Sequence, residues 1–327
     1  MPQPTCNSPG FSEGLISVSE IDQWIDFLTN VFEWRVLYDG PCGSEIRGMW
    51  QLSRDVKARQ VLLGEPNAET TQGRIRLIKF ENVTQKRARP SAYAWDTGGF
   101  FDLHVQVRDL RGLYEKMQGC GWHGFTEPKR LDVSGVTIDE VLVHGPDGMA
   151  FALIERISPP FQVVDGYAAV SPAWNAPQMV SDLTSAHQFY SEGLGFKTTI
   201  EFEMPPPEDG DTLFGLPLSL GKTTSTELAF FHPGGRRGAI GSVDLLHMVG
   251  VQGRDLRAST RPPNLGLMLI RFPVKKLNDY MSAIQNAGVK LFSGPMQVNI
   301  EPYGVTTAIG VISPEGALIE FYEDLTP

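Results

Sequence analysis

Apolar residues recur at two different spacings near the start of the chain and predict a strand followed by a helix. Residues 16 to 18 alternate apolar and polar positions, as a half-buried strand does. Apolar residues then follow at the three- and four-residue intervals of a helix: Trp24, Phe27, Leu28 and Val31. Three short apolar or β-branched segments bounded by Gly, Pro or Asn predict further strands: 34–40, 56–65 and 74–81. The pattern predicts a βαβββ module.

This module recurs, starting again near residues 101, 174 and 267. The two halves of the chain align with each other in five blocks: 18–34 with 180–196, 58–66 with 225–233, 73–80 with 241–248, 101–122 with 268–289, and 145–155 with 313–323. We therefore predict two domains, with modules 1 and 2 in residues 1–160 and modules 3 and 4 in residues 165–327. A Pro-containing linker, 158–174, joins them. The repeat leaves open whether the modules pair in this order or exchange partners.

Composition narrows the class of protein. A chain of 327 residues with 41% hydrophobic residues can bury a large core. A net charge of -10 from interspersed acids argues against a nucleic-acid partner. The N-terminus does not resemble a signal peptide and no run of apolar residues is long enough to span a membrane, so we expect a cytoplasmic protein without a membrane partner. The three cysteines are far apart, which predicts reduced thiols.

Two motifs accompany the modules. A V-x-D-L junction leads from strand to helix at Val107–Leu110 and Val180–Leu183, and a Pro-acid-Gly turn precedes the last strand at Pro146–Gly148 and Pro314–Gly316. Their order and recurrence resemble the vicinal oxygen chelate superfamily of glyoxalases, bleomycin resistance proteins and extradiol dioxygenases. The resemblance covers nearly the whole chain. It implies an α+β fold of four βαβββ modules in two tandem glyoxalase-like half-barrel domains, with an active-site cup in the second.

The resemblance also implies which positions face the cups, because in this superfamily the first and last strands of each module each aim one ligand inward. Strand parity assigns two sets. In modules 1 and 2 the positions hold Glu13, Arg76, Asp102 and Ala152; in modules 3 and 4 they hold Asn175, Asp244, Leu269 and Glu320.

The first set cannot bind a metal well, because the guanidinium of Arg76 is always charged and has no lone pair to offer. A buried carboxylate needs a partner. We therefore predict a structural ion pair between Arg76 and Glu13 or Asp102.

The second set offers three oxygen donors, Asn175, Asp244 and Glu320, which suit Mg, Mn or Ca. The alternative is that Asp244 and Glu320 act without metal as coupled carboxylates, one with a raised pKa. In either case these residues are the predicted catalytic groups. The cofactor therefore stays open between a divalent metal (Mg, Mn or, for oxygenase chemistry, Fe) and none.

Further side chains are candidates for binding substrate. By parity Arg271 and Tyr322 point into the same cup as Glu320, and Arg271 could bind a carboxylate or enolate. His104 shares the face of Asp102. Aromatic residues could form the walls, namely Tyr303, Phe230 and Phe214.

Three functions remain open. The first is a lyase or isomerase that uses carboxylate acid/base chemistry on a small aromatic or carboxylated catabolic intermediate. The second is an extradiol-type, metal-dependent dioxygenase, although Leu269 stands where such an enzyme has its second His. The third is a metal-free small-molecule-binding protein. Each implies a small-molecule partner, and the resemblance implies a homodimer as an option.

Overall fold

The computed structural model describes residues 3–91, 93–133, 135–159 and 166–325; residues 160–165 of the predicted linker lie outside the described residues. All four modules are present. Module 1 comprises β1 (Glu13–Ser17), α1 (Ile21–Asn30), β2 (Arg35–Pro41), α2 (Ser44–Met49), β3 (Lys57–Gly64) and β4 (Arg74–Glu81). Module 2 comprises β5 (Leu103–Gln106), α3 (Leu110–Gly119), β6 (His123–Gly124), β7 (Lys129–Val133), β8 (Val136–His144) and β9 (Ala150–Ser158).

The second half repeats this order. Module 3 comprises β10 (Asn175–Met179), α4 (Leu183–Gln188), β11 (Lys197–Met204), α5 (Leu218–Gly221), β12 (Thr226–His232) and β13 (Ser242–Met248). Module 4 comprises β14 (Gly266–Val274), α6 (Leu277–Asn286), β15 (Leu291–Ile300), β16 (Gly304–Ile312) and β17 (Leu318–Glu323). The predicted α+β class and the βαβββ order are thus confirmed. No helix among the described residues is long and apolar enough to cross a membrane.

The strands form two curled sheets, and each sheet joins two modules through their first strands. One sheet has the order β15-β16-β17-β14-β1-β4-β3-β2 and so combines modules 1 and 4. The other has the order β11-β12-β13-β10-β5-β9-β8-β6 and combines modules 2 and 3. We call their concave faces the 1/4 cup and the 2/3 cup.

The sequence left open whether the modules pair in order or exchange partners, and the two sheets show the exchanged pairing. The halves 1–160 and 165–327 each contribute one module to each sheet, and a division into domains at these bounds stays a prediction. Every module presents the same kind of free first-strand edge. The sequence repeat is therefore equally compatible with either pairing.

One large core of buried apolar side chains lies on the opposite faces of the sheets from the cups and includes residues of α1, α3, α4 and α6. Strand alternation separates this core from the cups. In β1, Ile16 belongs to the large core, whereas its neighbour Leu15 packs in the 1/4 cup.

Consecutive modules are held together by the acidic residue of the Pro-acid-Gly turns. Asp147, which is buried, accepts hydrogen bonds from the backbone N–H of Ser19 (3.0 Å) and from Nε1 of Trp24 (2.9 Å). Glu315 accepts in the same way from the backbone N–H (3.0 Å) and hydroxyl (2.8 Å) of Ser181. Each turn thus binds the strand-to-helix junction of the preceding module, which lies in the other sheet.

Candidate active site

The 1/4 cup contains a closed network of two carboxylates and two guanidinium groups. Arg76 bonds both oxygens of Glu13, at 2.7 and 2.8 Å. Arg271 also bonds Glu13 and reaches Glu320, with its Nε 2.8 Å from Oε2. All four side chains are at most 1% exposed. The opposite charges balance within the cup.

The remaining polar atoms of this network have partners as well. Nε1 of Trp50 donates to Glu320 at 2.6 Å, and Arg76 donates to Oε1 of Gln60 at 2.9 Å. Burial alone would raise the pKa of Glu13, but the charges and hydrogen bonds of Arg76 and Arg271 lower it below its usual value. Apolar side chains fill the rest of the cup. The 1/4 cup is therefore an ion-pair core with little room for a ligand.

These contacts agree with the predicted ion pair between Arg76 and Glu13. Asp102, the other predicted partner of Arg76, takes no part in it because it lies with the other sheet. The contacts also correct the expected cluster of Asn175, Asp244 and Glu320, because Glu320 lies in the 1/4 cup. Arg271 accompanies Glu320 there. Tyr303 and Tyr322, also assigned to the cup of Asp244, stack on each other in the 1/4 cup with ring centroids 5.4 Å apart.

In the 2/3 cup, polar side chains meet on three adjacent strands. His104 on β5 lies directly opposite Asn175 on β10. Asn175 donates a hydrogen bond from Nδ2 to Oδ2 of Asp244 on β13, over 2.6 Å. Asp102 lies just before β5, with Oδ2 3.5 Å from Nε2 of His104. The structure thus brings together the predicted residues Asn175 and Asp244 and adds His104 to them.

Several buried polar atoms of this cluster have no hydrogen-bond partner among the described residues. They are Nδ1 of His104, Oδ1 of Asn175, Oδ1 of Asp244 and both carboxylate oxygens of Asp102. Leaving a buried polar atom unpaired costs about 1–3 kcal/mol. Unpaired atoms concentrated at the floor of one cup therefore indicate a site prepared for a ligand that supplies the missing partners.

Burial and neighbouring charges bring the pKa values of two carboxyl groups of the cluster close to neutral pH and raise that of His104 above it. Burial raises the pKa of Asp244 to about 8, against the charge of His104 and the hydrogen bond of Asn175, which lower it. Burial also raises the pKa of Glu140, on β8, to about 7. For His104, burial lowers the pKa, but Asp102, Asp244 and Glu140 raise it to about 9. Groups that titrate near pH 7 are suited to proton transfer.

Above this floor lies a cavity of about 730 Å³, within the usual size range of small-molecule sites. Phe214 and Phe230, both predicted as wall residues, line it. The remaining walls are mainly apolar and include Phe101, Ile138, Leu142, Ile154, Trp174, Ile200, Phe202, Met204 and Leu228.

Two features of this site were not predicted from the sequence. Glu140 was missed, although it lies between Ile138 and Leu142 on an otherwise apolar strand face; a carboxylate at an apolar position was the available signal. The register of the first strands was also two residues off. Arg271, not Leu269, lies opposite Glu13, and His104, not Asp102, lies opposite Asn175.

The 2/3 cup does not fit a divalent metal of the kind the fold implies. The first- and last-strand positions hold His104, Asn175, Asp244 and Ala152, and Ala152 has no donor atom. Among the described residues no group of three His, Cys, Asp or Glu side chains is placed to hold a metal ion.

Comparison with solved structures shows the fold. Glyoxalase I from Zea mays superposes with a TM-score of 0.62 at 16% identity, covering 96% of this chain and 92% of that chain. A putative dioxygenase from Bacillus subtilis superposes with a TM-score of 0.59 at 12% identity, covering 98% and 87%. No protein-family model and no curated protein matches the sequence. The chain has the vicinal oxygen chelate fold, as its motifs predicted.

Proposed function

We propose that this protein is a lyase or isomerase that moves a proton beside a carbonyl group of an apolar small molecule in the 2/3 cup. The observation that carries the proposal is the unpaired Oδ1 of Asp244, which has a pKa near 8 and lies on the strand face between Ser242 and Leu246, two residues that line a largely apolar cavity. Asp244 was a predicted catalytic residue. The sequence predicted Glu320 as the catalytic partner of Asp244, and in this proposal Glu140 and His104 are its partners.

Asp244 is the proton acceptor in this proposal. With a pKa of about 8, about a tenth of the molecules carry the ionised form at pH 7. That carboxylate is a stronger base than an exposed aspartate, and burial provides the difference. Oδ1 accepts the proton from the carbon beside the carbonyl, while Asn175 holds Oδ2 in place.

His104 is the group that stabilises the negative charge developing on the substrate oxygen. Its imidazolium form has an N–H on Nδ1 that no described residue accepts. A donor fixed in a water-poor cup and aimed at such an oxygen lowers the barrier more than a solvated donor does. Asp244 then returns the proton to a neighbouring carbon in an isomerisation, or to a leaving group in an elimination.

The other two functions have less support in the site. Non-haem iron chemistry of the dioxygenase kind uses two imidazoles and one carboxylate, and His104 is the one histidine among the residues that line the cavity. A binding protein would use the same apolar walls, but it has no need of two buried carboxyl groups with pKa values near neutrality. The fold shared with glyoxalase I and with a putative dioxygenase is compatible with each of them.

The test is exchange of carbon-bound hydrogen. The protein is incubated in D2O with a panel of aryl and alkyl methyl ketones, some with a carboxylate at the far end of the chain, and loss of the signal of the protons beside the carbonyl group is followed by NMR. We expect catalysed exchange, unaffected by chelator, that falls about 100-fold or more in Asp244→Asn. Binding of the same compounds should persist, because the amide replaces the carboxyl group without a change of size.

Glu203→Gln is the matched control, because Glu203 is an exposed carboxylate on β11 between the cavity residues Phe202 and Met204. Exchange should be unchanged in this variant. Binding of the panel without any exchange, or equal exchange in the wild type and Asp244→Asn, would refute the proposal and favour a binding protein. Exchange that depends on a tightly held metal would instead favour a metalloenzyme.

A further inference from the structure

Two arginines lie at the opposite end of the cavity from the catalytic cluster. On β9, Ala152, Ile154 and Arg156 share one face of the strand. Ala152 pairs with His104 at the floor, and Arg156 lies four residues further on. At 3.3 Å per residue, this places Arg156 about 13 Å along the strand from the floor. Ile154 and Arg156 both line the cavity.

Arg237 reaches the same end from the loop before β13. Its side chain lines the cavity and is exposed, which places it at the rim. The two guanidinium groups are close enough to interact, because the pKa of Arg156 is lowered by burial and then by the charge of Arg237. This end of the cavity therefore carries two guanidinium groups, those of Arg156 and Arg237.

The wall between the two ends is apolar, with Ile154, Trp174, Ile200 and Phe230. A ligand that runs from the rim to the floor thus meets guanidinium groups first, then an apolar surface, and then the polar side chains of His104 and Asn175. Guanidinium groups bind planar or tetrahedral anionic oxygens through paired hydrogen bonds.

We propose that the substrate is an elongated apolar acid whose anionic group is bound by Arg156 and Arg237 and whose reacting carbonyl lies at the far end, beside His104 and Asp244. The second half of this statement rests on the function proposed above, whereas the first half concerns binding alone. The separation of the two ends corresponds to a chain of roughly ten carbon atoms, at about 1.3 Å per methylene.

The experiment measures binding of three probes by calorimetry: decanoate, the neutral decanamide, and decyl phosphate. Decanoate should bind about tenfold more tightly than decanamide, since a charged hydrogen bond contributes more than a neutral one. Arg237→Gln should remove most of this preference and Arg156→Gln with Arg237→Gln all of it. If decyl phosphate exceeds decanoate by tenfold or more, the anionic group is a phosphate and the carboxylate assignment is overturned.

Arg130→Gln is the matched control, because Arg130 is an exposed arginine of the neighbouring hairpin that pairs with Asp139 outside the cavity. It should leave all affinities unchanged. Equal binding of decanoate and decanamide by the wild type, or unchanged decanoate affinity in Arg237→Gln, would overturn the proposal. Arg237 is exposed, so Arg237→Gln gives an answer even if substitution of Arg156 prevents folding. Since no turnover is measured, a failure of this proposal is distinguishable from a failure of the proposed function.

Discussion

Asn175 donates its amide hydrogen to Oδ2 of Asp244 across the two parallel strands β10 and β13, over 2.6 Å. This bond leaves Oδ1 of Asp244 without a hydrogen-bond partner among the described residues. It also lowers the pKa of Asp244, although less than burial raises it. Asn175 is thus a positioning residue that also moves the pKa of Asp244 downward.

The first prediction concerns the pH dependence of activity in Asn175→Leu. Removing the amide removes a contribution that lowers the pKa of Asp244, so that pKa should rise further above 8. The rise of kcat/KM with pH should therefore move to higher pH, with about a tenfold loss at pH 7 and a smaller loss at pH 9. The pH profile checks this.

Asn299→Leu, at an exposed position in the other sheet, should leave the profile unchanged. If Asn175→Leu lowers activity equally at every pH, the residue has only a structural role.

The second prediction concerns stability between pH 6 and 8. The pKa values of Asp244, Glu140 and His104 are raised in the folded protein, to about 8, 7 and 9. The folded state then binds more protons than the unfolded state, so its stability falls as pH rises through this range. Each group contributes at most about 1.4 kcal/mol per pH unit.

Urea unfolding at pH 6, 7 and 8 measures this slope. Asp244→Asn should make the decline shallower, since the amide does not titrate. Burial also raises the pKa of Cys6 and Cys42, to about 12 and 11, but these thiols affect stability mainly above this range. A wild-type protein whose stability is constant or rises from pH 6 to 8 would show that the cluster is not protonated as described.

Much of the fold follows from the sequence, because the relevant signals are local. The recurring strand and helix periods predicted every module, and the predicted Pro-acid-Gly turns are present, with positive φ at Gly148 (76°) and Gly316 (80°). The pairing of modules did not follow. Each module has the same first-strand edge, and the choice of partner depends on contacts between residues far apart in the chain, such as Asp147 with Trp24.

The site was predictable only in part, for a related reason. Parity is a property of one strand, so the inward faces were assigned correctly for Asn175, Asp244 and Arg76. Register is a property of two paired strands, and it selected His104 and Arg271 instead of Asp102 and Leu269. Glu320 was correctly placed facing a cup, but the cup was that of module 1, where Arg271 joins it to Glu13.

The last prediction tests the assignment of different roles to the two cups. Arg271→Met removes the cation that links Glu13 and Glu320 and leaves two buried carboxylates with fewer partners. Breaking a buried ion pair in this way costs about 3–5 kcal/mol of unfolding free energy. Urea unfolding measures this, with Arg59→Met as the control: Arg59 pairs with acidic side chains at the surface, and its loss should cost less than about 1 kcal/mol.

The same variant also separates structure from chemistry. Arg271 lies on β14 in the sheet of modules 1 and 4, whereas the cavity is built by modules 2 and 3. The Arg271→Met variant is assayed at low temperature and without denaturant, where it is still folded. Under these conditions it should keep its kcat/KM and its affinity for the probes. If activity falls while the unfolding free energy stays near that of the wild type, the reaction takes place in the 1/4 cup, and the network of Glu13, Arg76, Arg271 and Glu320 is the active site.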